Sequence, residues 1–240
     1  MEGRFELGEF ELQSGQVLHD AFITYETHGD LNADRSNVIV YPTWYAGTHE
    51  ANRGAIGEGR ALDPSNYFIV VPDMFCNGMS SSPSNTPPPF DRARFPLVTP
   101  YDNVMAQQRL LTEEYGVEKI AMVVGFSMSA QQAYHWGVQF PAMVGSIAPI
   151  CGSARTSTHN WLFLEGVKLA LQSDAAWAGG DYQDPPTSGL RAFSTVYAGW
   201  AASQTFYRQG LHLDLLGMQM KSMDEYLDFM TGFFSQVDAN

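Results

Sequence analysis

The stretch Val123-Val124-Gly125-Phe126-Ser127-Met128-Ser129-Ala130 joins an apolar run to a helix start through Gly-x-Ser-x-Ser. A serine presented as a nucleophile on a sharp strand-to-helix turn needs small residues two before and two after it, because larger side chains would collide there. Gly125 and Ser129 meet that need. Such a turn lifts the Ser127 hydroxyl to the tip of a sheet and sets the Met128 N–H, at a helix N-terminus, where a tetrahedral oxyanion would sit. The plainer alternative is an ordinary turn in which Ser127 caps the helix.

The neighbouring sequence supplies the strand and helix that the motif requires. The segments 38–41, 68–71, 121–124 and 144–150 are continuous apolar or β-branched runs, the pattern of strands buried on both faces of a parallel sheet. A helix is expected over 102–115, with Asp102 as its N-cap, and another from just after Ser127 to about Phe140, where Pro141 stops it. Strand alternating with helix indicates an α/β protein with right-handed parallel connections. Phe10 and Leu12, then Ala21, Ile23 and Tyr25, alternate about Ser14-Gly15, so the chain opens with an antiparallel hairpin. Residues 76–100 form a long loop rich in Ser and Pro, of the kind that is usually functional or disordered. Beyond 155 the stretches 161–171 and 192–228 read as helices rich in Met and aromatics. This gives two parts, an α/β core over 1–155 and a helical lid over 156–240.

Composition narrows the function. With 13 Lys plus Arg against 26 Asp plus Glu, the net charge of −13 has the wrong sign for nucleic acid or an anionic membrane. Segment 120–154 lacks Asp, Glu, Lys and Arg, yet Gly125, Gln131, Gln132, His135 and Pro141 interrupt it, so buried elements explain it better than a membrane span. The opening MEGRFELGEFEL has neither the basic start nor the apolar run of a secretory signal, which makes the cytoplasm the default expectation. Cys76 and Cys151 lack metal-ligand spacing and read as two thiols rather than a bridge.

A second oxyanion donor is expected from the loop after the 38–41 strand, Pro42-Thr43-Trp44-Tyr45-Ala46-Gly47. Trp44 N–H is the first choice, Thr43 and Tyr45 are the adjacent registers, and a loop that only packs its aromatics is the alternative. Of the histidines, His19, His28 and His49 precede the serine, and His135 lies within its helix, more suited to packing against the sheet. His159 and His212 follow Ser127 but no later strand, so neither occupies the usual place of a triad base, which comes after the acidic member on a late loop.

These residues carry a resemblance. Tyr25-Glu26-Thr27-His28-Gly29, Ile56-Gly57-Glu58-Gly59, Tyr67-Phe68-Ile69-Val70, Phe95-Pro96, the Ser127 turn and Trp177-Ala178-Gly179-Gly180-Asp181-Tyr182 occur collinearly as in homoserine O-acetyltransferases, which the chain resembles. The resemblance implies an α/β-hydrolase fold with a mostly parallel sheet and a helical lid. It also implies acyl transfer through an acyl-Ser127 intermediate stabilised by the Met128 and Trp44 amides. No metal or bound cofactor is implied; acetyl-CoA enters only as acyl donor, a small alcohol or water as acceptor, and a homodimer through the lid is the implied assembly. Three departures bear on function. Ser129-Ala130 stands where the family has two glycines, and Ser194 falls where it has the arginine that holds the homoserine carboxylate, which puts ester hydrolysis beside acyl transfer. Family members also run on through further strands bearing the triad Asp and His. The expectation is therefore that this stretch lacks its base and its edge strands and is inactive alone, with a non-catalytic binding protein as the contrasting reading.

Overall fold

The computed structural model describes residues 1–236, so the last four residues of the expected lid lie outside it. Contacts divide the chain into Met1–Ala154 and Arg155–Asn240.

The first unit is built on a six-stranded mixed sheet of order β1-β2-β4-β3-β5-β6, comprising β1 Glu2–Glu11, β2 Val17–His28, β3 Val38–Val40, β4 Phe68–Pro72, β5 Met122–Phe126 and β6 Ile147–Ile150. β1 and β2 form the expected hairpin, and β2 continues the sheet by running antiparallel to β4, with Tyr25 opposite Pro72. From β4 to β6 all pairing is parallel. The apolar runs are continuous because both faces are covered. Val38, Val40, Val70 and Val123 enter one cluster with Val104, Leu110, Leu111 and Trp136, while Ile39, Tyr41, Ile69, Val71 and Val124 enter a second on the opposite face.

Local chemistry shifts two expected boundaries. Helix α2, Pro100–Arg109, follows the one-turn α1, His49–Asn52, and starts earlier than expected. Thr99 is its N-cap, and Asp102 is the third helical residue, accepting from Thr99 N–H at 2.7 Å in a capping box. Asp102 is therefore not the cap but the residue that reaches back to it. The 144–150 run begins as a lone bridge, Val144 to Ile120, and becomes a strand only at Ile147. Helix α3, Met128–Gln139, ends one residue before Phe140.

The second unit is helical: α4 Thr158–Gln172, α5 Thr187–Ala201, α6 Gln204–Arg208 and α7 Met223–Phe234. The stretch expected to be helical over 192–228 is broken where Ser203 and Ser222 cap new helices and where Gly210 takes a left-handed φ of 71°. Its core is aromatic, with Tyr197 tilted against Phe234 and Phe193 edge-to-face with it, at ring-centroid distances of 4.7 and 4.9 Å.

Candidate active site

Ser127 sits between β5 and α3 with φ 58° and ψ −121°, a region that costs a non-glycine residue free energy and persists only where the surroundings enforce it. Several contacts do so. Ser127 N–H donates to Ile150 O at 2.9 Å, tying the turn to β6, and Ser127 O accepts from Ala130 N at 3.0 Å. A Cβ on Gly125 would lie 2.3 Å from the Ser129 carbonyl, so glycine is required for the strand to pass under the helix start. Ser127 occupies the N-cap position of α3, but its hydroxyl makes no capping bond to the helix. Half-buried, it stands beside Met128 N–H, one of the first-turn donors that a helix leaves unpaired.

β3 and β5 are parallel neighbours, with Val40 opposite Val123, so the loops leaving their carboxyl ends share one edge of the sheet. The loop after β3 is thus brought to the Ser127 turn. Trp44 packs its ring against Phe126 at 6.2 Å and Tyr41 at 6.4 Å. Thr43 N–H is spent on Pro72 O at 3.1 Å, whereas Trp44 N–H has no partner among the described residues. Between Trp44 and Thr43, Trp44 therefore keeps a donor to offer and Thr43 does not. The Trp44 ring also packs, so the packing alternative describes its side chain while leaving its amide available.

The histidines of this unit are engaged elsewhere. His19 meets Glu9 at the surface at 2.8 Å, His28 lies 3.1 Å from Glu26, and His135 contacts Gln139 at 3.0 Å. Burial pushes the His135 imidazole below its usual pKa. His49 forms a buried pair that the sequence reading did not find. Its Nδ1 lies 2.6 Å from Asp73 Oδ2 and its backbone N–H donates to Asp73 Oδ1 at 2.9 Å. Asp73, with 0% of its surface exposed, also accepts from Thr24 Oγ1 at 2.8 Å and Asn77 Nδ2 at 3.0 Å. The bond to Asp73 raises the His49 pKa against the opposing effect of burial. An aspartate directly after the buried run 68–72 was the available signal, since a charge there needs partners.

In the second unit, His159 packs on Trp200 at 4.8 Å, and buried His212 lies among Phe206, Tyr207 and Tyr226. Ser194 is fully buried and returns its hydroxyl to Leu190 O at 2.7 Å. Arg191, next to it in space on α5, is paired with Asp228 at 2.5 Å. Cys76 and Cys151 form no disulfide. Among the described residues no cluster of His, Cys, Asp or Glu could hold a metal, and no helix is long and apolar enough to cross a membrane.

No family model matches the chain. It is 42% identical over 245 residues to an ethyl acetate hydrolase of Pseudomonas veronii, covering 99% of this chain and 69% of that protein. It is 37% identical over 193 residues to a homoserine O-acetyltransferase of Chlorobaculum parvum, covering 76% of this chain and 54% of that one. Among solved structures, an acetylester hydrolase from Corynebacterium glutamicum superposes with a TM-score of 0.94 at 37% identity, over 99% of this chain and 69% of its own.

Proposed function

This chain belongs to the α/β-hydrolase-fold family that includes acetyl esterases and homoserine O-acetyltransferases, and from that premise we propose that it hydrolyses small acetyl esters through Ser127. The observation that carries the reading is the Ser127 turn itself, strained at φ 58°, with Met128 N–H next in the chain and Trp44 N–H on the adjoining loop, neither of which has an acceptor among the described residues. Ser127 Oγ attacks the ester carbonyl carbon while a general base takes its proton. The carbonyl oxygen becomes an oxyanion that those two amides stabilise. Collapse breaks the bond to the alcohol, which leaves with the proton, and water then releases acetate from acetyl-Ser127 by the same steps. Among the described residues no histidine of the first unit is hydrogen-bonded to Ser127.

Water is favoured over homoserine as acceptor. Holding a carboxylate calls for a guanidinium placed to give two charge-assisted bonds. Ser194 spends its hydroxyl on Leu190 O, Arg191 on the same helix is neutralised by Asp228, and Arg208 is bonded to Gln204. The names of the similar proteins support the same order, since the ethyl acetate hydrolase matches at higher identity and coverage than the acetyltransferase. The full-length protein, given an acetyl ester or acetyl-CoA, should release acetate at a rate that millimolar homoserine leaves unchanged. Formation of O-acetylhomoserine, with free homoserine preferred about a hundredfold over homoserine amide, would instead establish acetyl transfer and a carboxylate partner elsewhere.

A further inference from the structure

The loop that carries Trp44 has its peptide carbonyls claimed one after another by buried side chains. Asn52 Nδ2 donates to Tyr41 O at 3.0 Å and to Pro42 O at 3.2 Å, Ser129 Oγ donates to Pro42 O at 2.6 Å, and Gln132 Nε2 donates to Thr43 O at 3.0 Å. The Pro42–Thr43 peptide is held at both ends, because its N–H also bonds Pro72 O. The Thr43–Trp44 peptide is different. Its N–H has no partner among the described residues, and its carbonyl is held by Gln132 alone. In a trans peptide C=O and N–H point in opposite directions. The side chain that fixes the Thr43 carbonyl thereby fixes where the Trp44 N–H points.

A glutamine can turn either end of its amide to a neighbour, so something must choose the NH2 end for Thr43. Gln132 Oε1 accepts from Gln107 Nε2 at 2.7 Å, and Gln107 Oε1 accepts from Trp136 Nε1 at 2.9 Å. An indole N–H can only donate. Trp136 therefore fixes the sense of Gln107, Gln107 fixes that of Gln132, and Gln132 presents its donor to Thr43 O. All three residues are at most 1% exposed, so no water competes for these bonds. A buried polar chain of this kind is favourable only when every member is satisfied in one sense.

We infer that Trp136, Gln107 and Gln132 form a one-way relay whose function is to keep the Thr43–Trp44 peptide from flipping, so that the Trp44 amide stays available to the oxyanion at Ser127. These are positioning residues, since none is placed to touch substrate, and the inference rests on the reading of Ser127 given above. If the peptide flipped, a carbonyl oxygen would replace the donor and repel the oxyanion. Ser129, one of the departures from the related acetyltransferases, belongs to the same harness through Pro42 O.

Two variants of the full-length protein test this. Gln132→Met removes the donor at similar volume. Gln107→Met cuts the relay without touching Gln132, because at similar volume it removes the donor to Gln132 Oε1 and leaves the Gln132 amide free to turn. Each should lower kcat for an acetyl ester about a hundredfold, the usual consequence of losing one oxyanion donor, with KM within threefold. Affinity for a boronic acid that mimics the tetrahedral state should fall in parallel, and a crystal structure of either variant should show the 43–44 peptide flipped. A merely structural role would lower Tm while leaving kcat per folded molecule and boronate affinity unmoved. If Gln132→Met does not fold, Gln107→Met and its crystal structure decide. A folded variant with kcat within threefold of the parent and the peptide unflipped overturns the relay. A parent without esterase turnover overturns the reading of Ser127 first, and the inference with it.

Discussion

A carboxylate with no exposed surface must have its charge met by donors, and Asp73 has His49, Thr24 and Asn77 around it. The groups facing His49 are Asp73, Glu26 and Glu2, all acting to raise its pKa, with burial opposing. A histidine whose folded pKa is raised contributes stability that is complete below its unfolded value of 6.5 and fades as the pH rises through the folded value. His49→Asn should therefore lose more unfolding free energy relative to the parent at about pH 5.5 than at about pH 9. Equal losses at both would show that His49 is held neutral. At Gly125 the issue is steric, and Gly125→Ala must move the Ser129 backbone away from a Cβ at 2.3 Å. A cost of about 3 kcal/mol or more, with turnover lost, is expected from chemical denaturation and esterase assays. The strand-to-helix turn at Ser127 and the loop holding Trp44 were legible because each depends on neighbours in sequence, a strand before and a helix or loop after. His49 with Asp73, and Gln107 with Gln132, were not, because each pair is joined only by the fold across 24 and 25 residues.

Among the elements, α2 shows how one side chain can serve two. Asp102 is 1% exposed, and its two oxygens accept from Thr99 N–H at 2.7 Å and from Gln13 N–H at 2.6 Å, joining the start of α2 to the β1–β2 turn. Asp102→Ala strands both donors and opens the capping box, which should cost about 2–4 kcal/mol in urea denaturation. Asp102→Asn keeps an acceptor and should recover part of it. A loss below about 0.5 kcal/mol for the alanine variant would show that water replaces the carboxylate. Asp102, expected as the N-cap, is instead the third helical residue, since Pro100 sets the first helical position and moves the cap to Thr99. The strands were read more closely than the helices of the second unit because full burial leaves an unbroken apolar run. In that unit, serine caps and a left-handed glycine divide a segment whose composition is helical throughout.

For the whole molecule, the described sheet has β6 at one edge, paired on one side with β5 and carrying Ile150 at 51% exposure. An apolar strand edge is a template for pairing with another chain. The 240-residue chain is expected to self-associate with rising concentration in size-exclusion chromatography, even with its net charge of −13. A monodisperse monomer up to millimolar concentration would show that this edge is inert. The longer relatives, of which this chain spans 69% in the case of the ethyl acetate hydrolase, are the natural comparison. All of these expectations surround one central step, acetyl transfer onto Ser127. Rapid quenching of the full-length protein with a chromophoric acetyl ester, followed by peptide mass spectrometry, reads that step directly. The account predicts a burst of released alcohol and an acetyl group on the peptide containing Ser127, both lost in Ser127→Ala. Undiminished turnover by Ser127→Ala, or acetyl found on another side chain instead, would contradict it.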